Sequence, residues 1–346
     1  MKVFLKNEDL KELLERFVKE GKLFAPVKRG GYSGWDRVSS VDEIVLSREQ
    51  ALLQGEEVNT REPAKVFVFP RSETLFEFEG EEAVETGEIP EVVVFGLRPC
   101  DGRAMAFLER FFVGNGPEDP RVQQRREKVI LIGVACNSPA DSCFCTAVGG
   151  GPHENQGLDV LLREVAGGFL GEAVTGKGEE LLTGFPEATV QQDAEAEKLK
   201  ANAEATLALK IDLNRLKAVL DNGFASPVWE RLTLECVNCG ACTFLCPTCH
   251  CFDVFDETVR GRKRRIRIWD SCQFTLYSQH ASGHNPRLNP AARYRNRVMD
   301  KFKYTVDMLG EVSCVGCGRC VRVCPAGIDI RGAVAEILKE AAQDGR

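Results

Sequence analysis

The residues best suited to chemistry in this sequence are two runs of cysteine with the same spacing. Each run has the form C-x2-C-x2-C-x3-C-P, and the two occur in LECVNCGACTFLCPTCHCFD at 234–253 and VSCVGCGRCVRVCPAGIDI at 312–330. Three thiolates two residues apart can reach three corners of a cubane iron–sulfur cluster from one looping segment. The fourth cysteine of such a run ligates the other cluster. The spacing therefore predicts two [4Fe-4S] clusters.

The ligand sets follow from this crossed pattern. The predicted first cluster has Cys236, Cys239, Cys242 and Cys324, and the predicted second cluster has Cys314, Cys317, Cys320 and Cys246. The alternative is a structural zinc-binding module built from C-x2-C knuckles. Zinc needs only four ligands, so that alternative leaves a third cysteine in each run surplus and the cysteine–proline ends unexplained.

Seven of the fifteen cysteines remain outside these sets. Four of them are candidate ligands of a third iron–sulfur cluster: Cys100, Cys136, Cys143 and Cys145. The same four could instead be small buried hydrophobic residues, or Cys143 and Cys145 could form the redox pair of a thiol–disulfide protein. Cys249, Cys251 and Cys272 have no ligand spacing, and we interpret them as packing residues or as contacts around a cluster.

Length and composition indicate a globular protein of about two domains. The chain has 346 residues, 43% of them hydrophobic and 28% charged, and a net charge of −7. This acidic balance gives no reason to expect nucleic acid as a partner. The first residues lack the apolar core of a signal peptide, and no stretch has the apolar length of a membrane span. We therefore expect a cytoplasmic protein.

The first part of the chain has the pattern of an open α/β sheet. Apolar residues at helical spacing predict a helix over 7–20, and short strands are predicted at 43–47 (EIVLS) and 65–69 (KVFVF). Buried parallel strands are predicted at 91–96 (EVVVFG) and 128–134 (KVILIGV), each followed by a loop that carries cysteine. Ligands of such sheets bind at the carboxyl ends of the strands, where these loops lie.

The fold class that we expect is an α/β N-terminal domain plus a mainly α, bacterial ferredoxin-like dicluster domain. The α/β domain with its cysteine-bearing loops spans 1–186. A linker at 187–228 contains an Ala-, Glu- and Lys-rich stretch without Gly or Pro over 187–221, which predicts one long helix or two shorter ones. The dicluster domain spans 229–346, with an insertion at 252–311 that is partly helical over 287–309.

Two further features bear on partners. No G-x-G-x-x-G sequence opens a helix, so we expect this chain to bind neither flavin nor NAD. The basic run RGRKRRIR at 260–267 is typical of a solvated face, and docking of an acidic partner is the functional alternative.

Four stretches together resemble a known family. They are FGLRPCD at 95–101, CFCTAVGGGP at 143–152, the first cysteine run with WDSC at 269–272, and CVGCGRCVRVCP at 314–325. They resemble the 4Fe-4S dicluster electron-transfer subunits of the type found in anaerobic sulfite reductase and in sulfhydrogenase, where the corresponding chain is the beta subunit. The RPCD and CFCT elements are absent from ordinary ferredoxins.

This resemblance implies an electron-transfer subunit of a multi-subunit anaerobic oxidoreductase, with no catalytic residues and no catalysis on its own. Its implied partners are a separate catalytic redox subunit, which is a hydrogenase, a sulfite reductase or a related enzyme, and a flavin/NAD(P)H-binding subunit. The terminal substrate, the direction of electron flow and the cluster potentials are not fixed by the sequence.

Overall fold

A computed structural model describes residues 1–45, 58–80, 82–85, 87–114 and 116–343. Contacts between residues divide the chain into two compact units. The first unit contains 1–68, 90–210 and 315–318, and the second contains 69–89, 211–314 and 319–346. Among the described helices, none has the length and apolar character needed to cross a membrane.

Within the described residues, strands predominate before residue 174 and helices after it. The strands are β1 Lys2–Lys6, β2 Leu23–Arg29, β3 Tyr32–Arg37, β4 Ser72–Glu79, β5 Glu82–Glu85, β6 Val92–Leu97, β7 Val129–Val134, β8 Val160–Val165, β9 Gly168–Ala173, β10 Phe252–Val259 and β11 Arg262–Trp269. The α-helices are α1 Asn7–Lys19, α2 Pro99–Phe112, α3 Pro120–Lys128, α4 Gly176–Leu182, α5 Val190–Ala205, α6 Leu213–Asn222, α7 Val228–Arg231, α8 Ala241–Phe244, α9 Pro290–Met299, α10 Thr305–Leu309, α11 Arg319–Arg322 and α12 Ile330–Gln343. In the described part of the chain, shorter 3-10 turns and one π-helical segment lie between them.

The first unit is built on a mixed sheet in the order β1-β9-β8-β7-β6-β2-β3. Its middle strands β2, β6, β7 and β8 are parallel neighbours, and the strands at both sides are antiparallel. β6 and β7 are the predicted apolar strands, and α2 and α3 lie in the crossover between them. The α/β character of the N-terminal region is thus confirmed.

Apolar periodicity explains the core of this sheet. The predicted helix at 7–20 forms as α1, and its buried side chains are Leu10, Leu13, Leu14 and Phe17. They pack with Phe95 of β6 and Ile132 of β7 in one hydrophobic cluster. Strands with long buried apolar runs belong in the middle of such a sheet, where layers cover both faces.

One strand prediction is wrong and one lies partly outside the described residues. The segment at 65–69 does not form a strand; Ala64–Phe67 is a 3-10 helix that begins after Pro63. Pro63 is the extended capping residue before this turn, and it cannot donate a backbone hydrogen bond to a sheet. Of the predicted strand at 43–47, Ile44 makes an isolated bridge with Val27, and residues 46–47 lie outside the described residues.

The Ala-rich linker forms two helices, α5 and α6. Thr189 begins α5 by accepting a hydrogen bond from the backbone N–H of Gln192, and Asp212 begins α6 in the same way with Arg215. A new capping residue inside the stretch therefore starts the second helix, even though neither Gly nor Pro interrupts the sequence.

The second unit contains helices and a four-stranded antiparallel sheet in the order β10-β11-β4-β5. The expectation of a mainly α domain is therefore only partly right. β10 and β11 form a hairpin whose turn residues Arg260 and Gly261 have φ of 51° and 79°, the sign that tight two-residue hairpin turns require. The expected helical part of the insertion is present as α9, a π-helical segment at Asp300–Tyr304 and α10.

Candidate metal centres

One pocket of the second unit brings together the four predicted ligands of the first cluster. Its walls include Cys236, Cys239, Cys242 and Cys324. Cys242 lies on the short helix α8, and Cys324 follows α11. Cys239 is exposed and the other three thiols are half-buried, so the pocket reaches the protein surface on one side.

Polar groups around this pocket suit a cluster. The backbone N–H of Ile328 donates a hydrogen bond to Sγ of Cys324 at 3.2 Å. Burial raises the pKa of Cys242, and the neighbouring Arg297 opposes that rise. Hydrogen bonds to sulfur and nearby positive charge stabilise thiolates and the clusters that they hold. The donor set and its surroundings therefore fit a [4Fe-4S] cluster.

The predicted ligands of the second cluster are divided between the two units. Cys246, Cys314 and Cys320 belong to the second unit, and Cys317 belongs to the first. Cys246 Sγ lies 3.3 Å from Oγ1 of Thr248. A hydrogen bond from Cys249 holds the pKa of Cys246 well below its usual range. This ligand set stays a prediction from the cysteine spacing.

A second pocket, in the first unit, brings together the four candidate ligands of the third cluster. Its walls include Cys100, Cys136, Cys143 and Cys145, together with Cys317. Cys100 lies in the first turn of α2, Cys136 follows the end of β7, and Cys145 begins a 3-10 turn. The carboxyl ends of the parallel strands β6 and β7 thus bring these cysteines to one edge of the sheet.

The Val315–Gly318 loop closes one side of this second pocket. The backbone N–H of Phe144 donates to the carbonyl of Gly316 at 2.9 Å. Asn59 donates through Nδ2 to the carbonyl of Cys317 at 3.1 Å and lies 3.9 Å from Sγ of Cys100. One middle cysteine of the second run is therefore held against the candidate third site by hydrogen bonds.

The electrostatics of the second pocket oppose free thiolates. Burial raises the pKa of Cys145 to about 12, with further contributions from Cys143 and Cys136. A metal binds the thiolate form, so binding there must release protons and must replace the lost solvation with metal–sulfur bonds. The N-terminus of α2 beside Cys100 adds a favourable dipole for negative charge. Four clustered thiols with these surroundings also fit an iron–sulfur cluster.

The candidate ligands of the first and third clusters lie in the walls of their pockets. Across the described residues, no three His, Cys, Asp or Glu side chains converge around the position of a single metal ion. A four-iron core holds its thiolates at separate corners, so a pocket lined by at least four cysteines is the feature that such a core requires. Each pocket has a fifth cysteine that is predicted to ligate the second cluster, Cys320 in the first pocket and Cys317 in the second.

The remaining thiols make local contacts. Arg297 donates through Nη1 to Sγ of Cys249 at 3.6 Å. A hydrogen bond with Cys272 lowers the pKa of Cys251 to about 6 and raises that of Cys272. None of the three lines either cysteine pocket in the described part of the chain. Their interpretation as packing or surrounding residues stays a prediction.

The sequence did not single out the polar side chains beside the pockets. Gln273, Tyr294 and Arg297 line the first pocket, and Asn59 and Arg98 line the second. Tyr294 and Arg297 are three residues apart on α9. That helical spacing within the insertion is the signal that could have indicated them.

The basic run lies on β11 and is largely neutralised by the neighbouring strands. Arg264 pairs with Glu257 and Arg265 with Asp256, both across the hairpin from β10. Arg267 pairs with Glu73 of β4, and both side chains are 4% exposed. Opposite charges on adjacent strands stabilise the pairing of the strands. Arg265 is exposed, as the interpretation as a solvated face requires, but Arg267 is buried.

Comparison with known proteins agrees with this geometry. A family model described as a 4Fe-4S dicluster domain matches residues 235–328. Sulfhydrogenase 2 subunit beta of Pyrococcus furiosus is 31% identical over 334 residues, which cover 94% of this chain and 95% of that protein. No solved structure matches the chain. The chain therefore belongs to the family of iron–sulfur, 4Fe-4S dicluster electron-transfer proteins that includes the sulfhydrogenase beta subunit.

Proposed function

We propose that this chain is the relay subunit of a cytoplasmic multi-subunit oxidoreductase. It passes electrons between a catalytic subunit of the hydrogenase or sulfite reductase type and a flavin/NAD(P)H-binding subunit. Support for a complex comes from the similarity, along nearly the whole chain, to a sulfhydrogenase subunit. The chain itself binds neither flavin, NAD nor nucleic acid, and it contributes no catalytic residue.

The observation that carries this proposal is the arrangement of thiols in the two pockets. Four predicted ligands line the first pocket, and four candidate ligands line the second. Cys317, a predicted ligand of the second cluster, lies on the wall of the second pocket. The position of Cys317 supports the inclusion of the candidate third cluster in the relay.

Each residue set has a defined task in this relay. A bound [4Fe-4S] cluster gains and loses single electrons without forming or breaking bonds to substrate. The cysteines hold the clusters, and the backbone N–H of Ile328 and the side chain of Asn59 stabilise negative charge on sulfur. In the second pocket Cys145 is buried, and Cys100, Cys136 and Cys143 are half-buried.

An anaerobic reductive titration tests the proposal on the full chain. The wild-type protein should take up about three electrons per chain, one for each cluster. Cys143→Ser removes a candidate ligand of the third cluster, and we expect its uptake to fall to about two electrons. Cys251→Ser is the matched control, because this cysteine lies outside both pockets, and it should behave as the wild type does.

Other outcomes would decide against the relay. A colourless protein with stoichiometric zinc would support a structural zinc module. A thiol–disulfide activity that survives loss of iron but not Cys143→Ser would support a redox-active pair at Cys143 and Cys145. Equal electron uptake in the wild type and the Cys143→Ser variant would remove the third cluster from the proposal.

A further inference from the structure

Three large polar side chains follow one another along α9 and the π-helical segment. Tyr294, Arg297 and Lys301 are 4%, 3% and 1% exposed. Their spacings of three and four residues bring them to one side of this continuous helix. Buried polar residues of this size require partners in the interior, and the predicted cluster ligands lie nearby.

Tyr294 brings an unsatisfied hydroxyl to the first cysteine pocket. Its side chain lines the pocket, and its buried hydroxyl has no hydrogen-bond partner among the described residues. Burial raises the pKa of Tyr294 above its ordinary value, so the hydroxyl keeps its proton and can donate it. A buried hydroxyl without a partner costs about 1–3 kcal/mol. A sulfur atom of a bound cluster would supply the missing acceptor.

Arg297 places a positive charge at the same pocket. Within the described part of the chain, no carboxylate lies within 4.0 Å of its guanidinium, and its hydrogen bond goes to Sγ of Cys249. Burial opposes the charge, but Cys242 and then Cys249 and Cys320 raise the pKa of Arg297 above its usual range. A buried cation needs negative charge close by, and here cysteine sulfur is the nearest source.

Lys301 places a second positive charge one turn further on. Its Nζ donates to Oγ1 of Thr248 at 3.0 Å and to Oγ of Ser313 at 3.3 Å, and Asp300 lies 3.6 Å away. Thr248 contacts Sγ of Cys246. Burial opposes the charge of Lys301, while Cys246 raises its pKa above the ordinary value. Lys301 therefore lies beside a predicted ligand of the second cluster.

The backbone at Lys301 is itself unusual. Residues Asp300–Tyr304 form a π-helical segment between α9 and α10. Such segments are rare and occur frequently at functional sites. Here the segment contains the buried lysine, and the backbone N–H of Ser313 donates to the carbonyl of Lys301 at 3.0 Å. The helix thus departs from regular geometry at the residue that contacts the cysteine runs.

We propose that Tyr294, Arg297 and Lys301, which we name the buried polar row, set the reduction potentials of the first and second clusters. Tyr294 donates a hydrogen bond to the first cluster, Arg297 supplies positive charge to both, and Lys301 supplies it to the second. Reduction adds one negative charge to a cluster, so a fixed buried cation or donor favours the reduced form. This inference rests on the proposed function, because it requires the clusters to be bound.

The decisive variant is Tyr294→Phe, which removes one oxygen atom and leaves the ring in place. Loss of a hydrogen bond to a charged acceptor should shift the reduction equilibrium of the first cluster about tenfold towards the oxidised form. That change is a fall of about 59 mV in its midpoint potential. Tyr304→Phe, in the π-helical segment and outside the pocket, is the matched control and should leave the potential unchanged.

Charge variants separate the two clusters. Arg297→Gln should lower both midpoint potentials, whereas Arg297→Lys should restore part of the loss because it keeps the charge. Lys301→Gln should lower the second potential more than the first. If the Arg297 variants do not fold, Tyr294→Phe still decides the inference, because it changes no charge and leaves the volume almost intact.

The measurement is an anaerobic redox titration followed by EPR, with iron and sulfide determined on the same samples. The inference would be overturned if Tyr294→Phe had full iron content and a first-cluster potential equal to or higher than that of the wild type. Absence of iron and sulfide from the wild-type protein would instead overturn the proposed function. The two failures are therefore distinguishable.

Discussion

Gly316 lies where the second cysteine run touches the second pocket, and substitution by alanine tests that contact. Its φ is +63°, and a Cβ atom built there lies 2.5 Å from both the carbonyl carbon of Phe144 and the backbone nitrogen of Cys145. Both neighbours are backbone atoms, which cannot rotate away as the end of a flexible side chain can. Gly316→Ala must therefore move either its own loop or the turn that carries Cys145.

The expected cost has two parts. A non-glycine residue in the left-handed region costs about 1–2 kcal/mol, and overpacking of a tight contact typically adds about 1–3 kcal/mol. Gly327→Ala is the matched control, because Gly327 has a φ of +67° and its added Cβ meets nothing within 4 Å. Gly327→Ala should therefore have only the cost of the left-handed backbone conformation. The difference between the two variants isolates the contact, and we expect it to be about 1–3 kcal/mol.

Thermal unfolding of anaerobically purified protein measures this difference. For a unit of this size, each kcal/mol corresponds to roughly 2–4 °C in Tm. We expect the Tm of Gly316→Ala to be lower than that of Gly327→Ala by about 2–12 °C. Because the displaced loop carries Cys317, the iron content of Gly316→Ala should also fall below that of the control. Equal Tm and equal iron content in the two variants would refute the reasoning.

Two further predictions concern stability. Glu73→Gln removes the negative charge that pairs with the buried Arg267 and should destabilise the protein by about 3–5 kcal/mol. Asp256→Asn changes the solvent-exposed pair with Arg265 and should lower the urea midpoint far less, because solvent screens that pair. Similar urea midpoints for the two variants would contradict this. Burial lowers the pKa of His153 to about 4, below its unfolded value of about 6.5. The unfolded chain therefore binds a proton there that the folded chain does not, and stability should fall by up to about 3 kcal/mol as the pH decreases from 6.5 to 4. A His153→Gln variant should lose this part of the pH dependence, and an unchanged slope would refute the assignment.

Apolar periodicity predicted the parts of the fold in which one face or both faces are buried. α1, β6 and β7 formed close to the predicted positions because burial of leucine, valine and phenylalanine dominates their energetics. The β10–β11 hairpin could not be found in this way, because nearly all of β10 is exposed. Paired acidic and basic side chains and the turn at Arg260 and Gly261 specify the hairpin instead.

The candidate sites could likewise be predicted only in part. The two cysteine runs could be recognised from spacing, since ligation requires particular residue types at short intervals. The cysteine-bearing loops after β6 and β7 could be recognised only from the predicted strands that precede them. The helical spacing of Tyr294 and Arg297 was an available signal, but their burial could not be predicted. In the sequence Arg297 and Lys301 resemble ordinary surface residues, and only the fold buries them. Likewise, the contact between Asn59 and the Cys317 carbonyl joins segments that are far apart in sequence.

Iron and acid-labile sulfide per chain, determined on anaerobically purified wild-type protein, test the central claim most directly. A relay of three [4Fe-4S] clusters predicts about twelve irons and about twelve sulfides for each chain. About eight of each would contradict the third cluster and leave Cys100, Cys136, Cys143 and Cys145 as structural thiols. A protein that contains no iron would contradict the relay itself.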